Sequence, residues 1–369
     1  MIKIAHLTSV HFRYDTRIFL KQCISLASNG YDVTLIVADG KGDENKENIA
    51  IYDVGRPKNR IFRMLNTTRQ VYREAIKLNA DVYHLHDPEL IPIGLKLIKR
   101  SKKVIFDSHE HVPEQLLSKH YLSNWISRII SRSFDLFESL TLKKFSAIIA
   151  ATPHICNILS SKNSRVVTIN NYPIINELSS ISRINAQKQN QVCFVGGVTD
   201  IRGIKELLVA FRLTKNNTKL VLAGLFSDQN LKTELQKTAS WNYVKDLGFL
   251  NRTEVSQVLA QSIAGIVTFL PVPNHINAQP NKMFEYMSAG LPIIASNFPL
   301  WKEIIEAHNC GICVDPTKPQ EIANAIDFLI ANPKLAKDMG ENGKQAINEK
   351  FNWTAEEKKL FDLYESLLK

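Results

Sequence analysis

The sequence predicts an α/β protein made of two doubly wound domains, and three observations carry that expectation. A chain of 369 residues, at roughly 150 residues per domain, favours two domains over one. The first forty residues read as strand, helix and strand. An apolar run at residues 2–8 is followed by helical spacing from Arg17 to Asn29 (Ile18, Phe19, Cys23, Leu26, Ala27), a helix-ending Gly30 and a second run at residues 33–37. Such a βαβ unit requires a parallel sheet. The same alternation then continues, pauses over residues 170–190 and restarts at Val192.

In the first half, strands are expected at 82–85, 104–106, 147–150 and 166–169, with helices at 60–78, 90–99, 122–144 and 155–161. Residues 170–190 are rich in Asn, Ser, Ile and Gln, contain Pro173 and show no period, which marks a linker. In the second half, strands at 192–195, 219–223, 244–247, 265–269 and 292–295 alternate with helices at 204–213, 231–239, 254–261 and 283–289. Helices at 301–307, 319–330 and 333–350 complete that domain, and 354–368 is a last amphipathic helix. The expected boundaries are therefore 1–170, a linker 171–190, 191–350 and a C-terminal helix 351–369. Two such domains should face a central cleft in which ligands bind.

Composition narrows the function. Hydrophobic residues at 44% and charged residues at 22% exclude disorder, and 15 glycines with 14 prolines exclude a fibrous chain. The net charge of +10 is unevenly placed. Residues 1–170 hold 25 Lys+Arg against 16 Asp+Glu, and the remainder 21 against 20. The first half thus suits an anionic partner. No helix-turn-helix, zinc finger or aromatic single-strand platform supports nucleic acid as that partner. The N-terminus lacks the pattern of a signal peptide, and no apolar run approaches the eighteen or so residues of a membrane span, so a cytoplasmic protein is expected. Five cysteines are too few and odd in number for a disulfide framework. Cys310-Gly-Ile-Cys313 has no second pair for zinc and is expected to be packing.

Four segments carry candidate chemistry. Pro280-Asn281-Lys282-Met283-Phe284-Glu285 places Pro280 at a first helical position, with free amides and Lys282 forming an anion site and Glu285 one turn in, able to hold two sugar hydroxyls. A plain helix cap with solvated Lys and Glu fits the segment equally well. Val195-Gly196-Gly197 through Arg202-Gly203 is a strand, a glycine turn and a helix start, where backbone can approach phosphate and Arg202 can fork onto its oxygens. It is not the GxGxxG fingerprint. His84-Leu-His86-Asp87-Pro-Glu89 and Asp107-Ser-His109-Glu110 end two strands, so His86, Asp87, His109 and Glu110 should converge on the ligand edge. Polar groups orienting a sugar fit this set better than zinc, for which no HExxH-like spacing is present. Last, Leu122, Trp125, Ile126, Ile129, Ile130, Phe134, Phe137 and Leu140 form an apolar stripe flanked by Lys119, Arg128, Arg132, Lys143 and Lys144. Packing on the sheet is the favoured reading, with a membrane interface as the alternative.

With these residues in place, the chain resembles the family 4 retaining glycosyltransferases of the GT-B fold over nearly its whole length. It is most similar to the bacterial members that build O-antigens, lipopolysaccharide, capsules and exopolysaccharides. The likeness rests on His11-Phe-Arg-Tyr-Asp15-Thr-Arg17, on the two His-containing strand ends, on Gly196-Gly197 through Arg202-Gly203, and on Pro280 through Gly290-Leu-Pro. The resemblance implies that Arg202 binds the donor diphosphate, that Glu285 holds ribose hydroxyls and that His109 contacts the donor sugar near the reacting centre. It places Gly196, Gly197, Phe249, Asn277, Asn281 and Met283 at the donor, with the base read by backbone near Gly248–Leu250. Asp15, Arg17, His86, Asp87 and Glu110 fall on the acceptor side, and the last helix returns to the first domain. Two positions depart from the family: Gly197 stands where an Arg is common, and Asn277 where the first acid of a Glu, seven residues, Glu pair would fall. Lys282 and the helix N-terminus would then supply the missing charge.

The expectation is a peripheral enzyme on the inner face of the cytoplasmic membrane. It moves a hexose or N-acetylhexosamine from a nucleotide diphosphate-sugar to a lipid-linked glycan, with no cofactor. The chain has no Asp-x-Asp pair, so no metal is expected at the diphosphate. An epimerase of the same fold and a non-catalytic transferase-like scaffold are the rival functions.

Overall fold

The computed structural model describes residues 1–117, 123–175, 177 and 187–369. Two compact units divide the chain: Met1–Asn171 with Trp353–Lys369, and Tyr172–Asn352. Of the expected linker 171–190, residues 176 and 178–186 lie outside the described residues, as do Lys119 and Leu122 of the apolar stripe.

The first unit holds an eight-stranded sheet of β1 (Lys3–Leu7), β2 (Asp32–Val37), β3 (Glu44–Lys46), β4 (Ile49–Asp53), β5 (Val82–Leu85), β6 (Lys103–Ser108), β7 (Ala147–Ala150) and β8 (Val166–Thr168). Their order is β3-β4-β2-β1-β5-β6-β7-β8, and every pair is parallel except β3 with β4. The chain leaves β1 in one direction to β2 and later in the other from β5. The β1/β5 boundary is therefore the switch point at which ligand sites form. Register sets Leu7 beside Leu85, so Thr8-Ser9 and His86-Asp87 emerge together.

Three features depart from the sequence reading. The β3–β4 hairpin was hidden because Glu44-Asn-Lys is short and polar; its two-residue turn places Glu47 and Asn48 at φ 53° and 61°, the primed geometry that hairpins favour. The helix after Asp15 opens as a wide π-type turn, with amide bonds from Leu20 to Asp15 O and from Gln22 to Arg17 O, before an α-helical stretch at Ile24–Ser28. The third is the helix Asn124–Thr141. The apolar stripe was expected to pack inward, yet Trp125 (67%), Ile129 (55%), Leu136 (60%) and Leu140 (52%) are exposed, spaced by four, seven and four residues along one face. Phe137 packs against the core. The stripe is too wide for one contact, so only its inner edge is covered.

The last helix, Trp353–Leu368, belongs to the first unit. Trp353 Nε1 donates to Ser25 Oγ (2.8 Å), the Asn170 amide donates to Glu356 (2.8 Å), and the Tyr364 hydroxyl is hydrogen-bonded to His84 Nδ1 (2.8 Å).

The second unit holds six parallel strands, β9 (Gln191–Val195), β10 (Lys219–Ala223), β11 (Val244–Asp246), β12 (Gly265–Val267), β13 (Ile293–Ser296) and β14 (Gly311–Val314), in the order β11-β10-β9-β12-β13-β14. Its switch point lies between β9 and β12. The CxxC segment runs into β14; both thiols are free, and burial pushes Cys310 up to about 11 and Cys313 up to about 12, which leaves them unreactive at neutral pH. Tyr286, on the helix Asn281–Ser288, accepts a hydrogen bond from the Val195 amide (2.9 Å) and lies directly over Gly265, where a Cβ would overlap its ring. That contact seats the helix against the end of β9. Gly265→Ala should therefore lower stability by roughly 1–3 kcal/mol, the usual cost of overpacking, read as a reduced urea midpoint with an unchanged slope.

Candidate active site

The β9/β12 edge of the second unit gathers cations. Gly196 (φ 100°) turns the chain out of β9, and Gly203 (φ 73°) starts the helix Ile204–Leu213 where a Cβ would overlap the Thr268 carbonyl oxygen. Between them Arg202 folds back, NH1 donating to Gly197 O (2.7 Å), with its guanidinium 5.3 Å from the Phe269 ring. A Cβ at Gly197 would stand 3.0 Å from Arg202 NH1, so the glycine makes room for this arginine.

Lys282 reaches the same turn from the helix side. Its ammonium is buried, lies 3.5 Å from the Phe194 ring centroid and has no hydrogen-bond partner among the described residues. It sits 3.6 Å from the position of a Gly196 Cβ. Burial, and then the nearby Arg202, hold its pKa well below the ordinary lysine range. Pro280 is the N-cap rather than the first helical residue, so the helix starts at Asn281, which is exposed. Met283, fully buried, gives its amide to Pro280 O (3.0 Å), leaving the Asn281 and Lys282 amides without a partner in the helix. Two basic side chains and two amides around a glycine turn make a cradle of the chemistry that suits a phosphate or diphosphate.

Glu285 follows one turn later. Arg252 NH1 donates to Glu285 Oε1 (2.7 Å), and Arg252 also holds Glu177 Oε1 (2.8 Å). Arg252, which the sequence reading missed for want of any motif around it, fixes one oxygen of Glu285. Asn277 caps the short helix Pro273–Ile276 and is half-buried, while Trp301 Nε1 pins the neighbouring Ala278 carbonyl (2.6 Å). Phe249 is 74% exposed beside Gly248, whose amide donates to Asp246.

In the first unit, Asp87 accepts from Ser9 N (2.6 Å) and Thr8 Oγ1 (2.9 Å), tying β5 to β1. Asp15 caps the π turn through the Arg17 and Ile18 amides and bonds His11 Nδ1 (3.2 Å); that imidazole and those amides hold its carboxyl well below the usual range. Asp107, which sequence reasoning passed over because it lies inside β6, is the hub. It accepts a two-point contact from Arg17 (2.9 and 2.8 Å) and one bond from Gln22 (2.7 Å), and faces His86 and His109. Burial drives His86 down to about 3 and keeps it neutral. Glu110 does not join this group: it is exposed and bonded to Gln115.

The unsatisfied Lys282 yields a prediction with a definite sign. Its folded pKa is lowered, so the unfolded chain binds the extra proton and stability is lost as pH falls below the ordinary lysine range. Lys282→Met should therefore raise the stability of the ligand-free protein at pH 7, by roughly 1–3 kcal/mol. The gain should shrink as pH rises toward about 10.4. Urea midpoints of both proteins at pH 7 and pH 9.5 check this.

Comparison with known proteins agrees with the geometry. The model described as glycosyltransferase family 4 matches residues 17–172, and that described as glycosyl transferases group 1 matches residues 177–346. An uncharacterised glycosyltransferase of Methanocaldococcus jannaschii is 25% identical over 294 residues, covering 75% of this chain and 71% of its own. The alpha-1,3/1,6-mannosyltransferase of Dictyostelium discoideum is 26% identical over 307 residues, covering 71% and 70%. Among solved structures, an Anabaena protein in complex with UDP-glucose superposes with a TM-score of 0.76 at 17% identity, covering 99% of this chain and 100% of that one. The fold is GT-B, two Rossmann-like α/β domains with parallel sheets. Between them the two family models span most of both units, and the chain belongs to the family 4 glycosyltransferases.

Proposed function

We propose that this protein is a metal-independent retaining glycosyltransferase that moves a hexose or N-acetylhexosamine from a nucleotide diphosphate-sugar to a lipid-linked glycan of a bacterial surface polysaccharide. The observation that carries the reading is the buried, unsatisfied Lys282 ammonium beside Arg202 at the Gly196-Gly197 turn. A group of that kind is costly unless a ligand completes it.

In the proposed reaction the bond from the sugar's anomeric carbon to the β-phosphate oxygen breaks and charge grows on the leaving diphosphate. Arg202, Lys282 and the amides of Asn281 and Lys282 meet that charge, and such preorganised donors supply the largest share of catalysis in many enzymes. The acceptor hydroxyl attacks from the face the diphosphate leaves, and a β-phosphate oxygen takes its proton, so configuration is kept. Glu285 keeps one oxygen for the ribose hydroxyls while Arg252 fixes the other. Phe249 and the Gly248–Leu250 backbone take the base, and Asn277 stands toward the sugar. By the family resemblance, His109 contacts the donor sugar, and Asp15, Arg17, His86 and Asp87 shape the acceptor side, Arg17 through Asp107.

The acceptor reading rests on surface and charge. The first unit carries 28 Lys+Arg against 20 Asp+Glu. Its exposed Trp125, Ile129, Leu136 and Leu140 lie on a helix bearing exposed Arg128 and Arg132, and a second exposed set, Ile61, Met64 and Leu65, adjoins Arg60 and Arg69. An anionic membrane face is the partner such surfaces suit, and it would place the protein peripherally on the cytoplasmic side. Among the described residues no helix is long and apolar enough to cross a membrane.

Thermal unfolding with UDP, GDP, dTDP and ADP and their sugars, with and without EDTA, tests the donor. One base should stabilise the protein by roughly 2.7 kcal/mol at a hundred times its dissociation constant, with EDTA making no difference. Glu285→Ala should keep its fold, because Arg252 retains Glu177. Its donor KM should rise roughly 10- to 100-fold, the worth of about 1.5–3 kcal/mol for a charged hydrogen bond. Absence of any nucleotide response, or unchanged transfer by this variant, overturns the assignment.

A further inference from the structure

A second cluster, in the first unit, is built from ligating side chains. The ends of β5 and β6 bring three donor atoms together: His86 Nδ1 to His109 Nε2 is 3.3 Å, His86 Nδ1 to Asp107 Oδ2 is 3.4 Å, and His109 Nε2 to Asp107 Oδ2 is 3.2 Å. This is a nearly equilateral triangle. Ligand atoms on a tetrahedral ion with bonds of about 2.0–2.1 Å are separated by about 3.3–3.4 Å, the same edge. The two imidazole planes are inclined by 59°, so their in-plane lone pairs can converge on one point. His6, His84 and His86, packed just behind, are a useful contrast. There His86 is stacked on both neighbours, at 16° and 20°, with no carboxylate among the three donors, so that trio is the poorer ion site.

The surroundings are also those of a metal site. Ligating imidazoles and carboxylates are commonly fixed by partners on their other atoms. His86 Nε2 is hydrogen-bonded to His6 Nδ1 (2.9 Å); Asp107 is held at Oδ1 by Arg17 NH2 (2.8 Å), while its ligating Oδ2 also accepts from Arg17 Nε (2.9 Å) and Gln22 (2.7 Å), bonds that aim this oxygen and that an ion must share. Charge points the same way. Asp15, Asp87 and Asp107 surround the imidazoles: His11 lies 3.2 Å from Asp15, 3.5 Å from Asp87 and 4.9 Å, ring to ring, from His109. Against these three carboxylates, Arg17 is the guanidinium paired with Asp107, so carboxylates outnumber guanidinium groups around the imidazoles. The His109 side chain is 19% exposed while those of His86 and Asp107 are fully buried, so His109 is the member of the triangle that reaches the surface.

We propose that His86, Asp107 and His109 bind a divalent transition metal ion of the zinc class, with a fourth position open. Two imidazoles and one carboxylate select such an ion over magnesium or calcium, which take all-oxygen sets. The ion occupies the His109 nitrogen that faces Asp107. If the proposed function holds, it thereby withdraws His109 from the donor sugar and inhibits transfer, separately from the metal-free diphosphate cradle.

The test titrates the metal-free full-length protein with Co2+, followed by its visible d–d absorption, and then displaces it with Zn2+. One equivalent should bind. His109→Asn, a partly exposed change, should weaken binding by more than the roughly 10- to 100-fold that outer-sphere changes cost. His111→Asn, in the separate His111–Asp135–Glu138 group, should leave it unchanged. No bound Co2+ in the native protein, retention of the same bands by His109→Asn, or their loss in His111→Asn overturns the proposal. Because binding is read without turnover, the site stands or falls independently of the transferase reading. Zn2+ that binds through His109 yet leaves transfer unchanged upholds the site and overturns the inhibitory role.

Discussion

Asp107 carries a charge with no exposed surface, and the first unit is organised around the need to satisfy it. An isolated buried carboxylate would cost many kcal/mol, so its oxygens must find donors or its proton must return. Arg17 and Gln22 meet it from the helix after Asp15, and Arg17 also donates to the Ile169 carbonyl, which ties the unit's first helix to β6 and to the segment after β8. Arg17 and Gln22 are five residues apart, a spacing that an ordinary α-helix turns to different faces. The π-type turn over Ile18–Cys23, with its i to i−5 amide bonds, brings both to the same carboxylate. A buried pair of this kind adds little net stability when complete, and breaking it costs roughly 3–5 kcal/mol. Its role is to specify one arrangement of helix, strand ends and imidazoles.

The second unit poses the opposite electrostatic problem and leaves it open. Lys282 is also buried, but its ammonium faces aromatic rings and another cation rather than an acceptor. Folding alone gives no reason to keep such a group. The contrast between one buried charge met by several hydrogen bonds and another met by none is what the proposed donor site rests on. Glu285 lies between these extremes: Arg252 pairs with one oxygen and orients the carboxylate.

Much of this was legible in the sequence. Apolar runs at residues 82–85 and 147–150 are the strands β5 and β7 without adjustment, because fully buried parallel strands are continuous hydrophobic segments bounded by polar turns. The glycine turn and the Pro280 segment stood out because phosphate chemistry needs small residues and a helix start in a fixed order. The β3–β4 hairpin, the π turn and the inward position of Asp107 left no such record. Three polar residues do not announce a strand, and an acid between Phe106 and Ser108 looks like any strand end until Arg17, ninety positions earlier, is seen to reach it. Arg252 was invisible for the same reason, since its partners are 75 and 33 positions away.

The sequence by itself determined the two α/β units, the parallel sheets and the strand ends that bear the candidate residues, because periodicity and turn chemistry are local properties. It also determined where the basic charge lies along the chain. Tertiary structure alone decided which charges are paired. It gave Asp107 its guanidinium and amide, left Lys282 without an acceptor, turned Glu110 to solvent and exposed one face of the helix at 124–141. Burial and distance set those outcomes, and both depend on residues brought together from far apart in the chain.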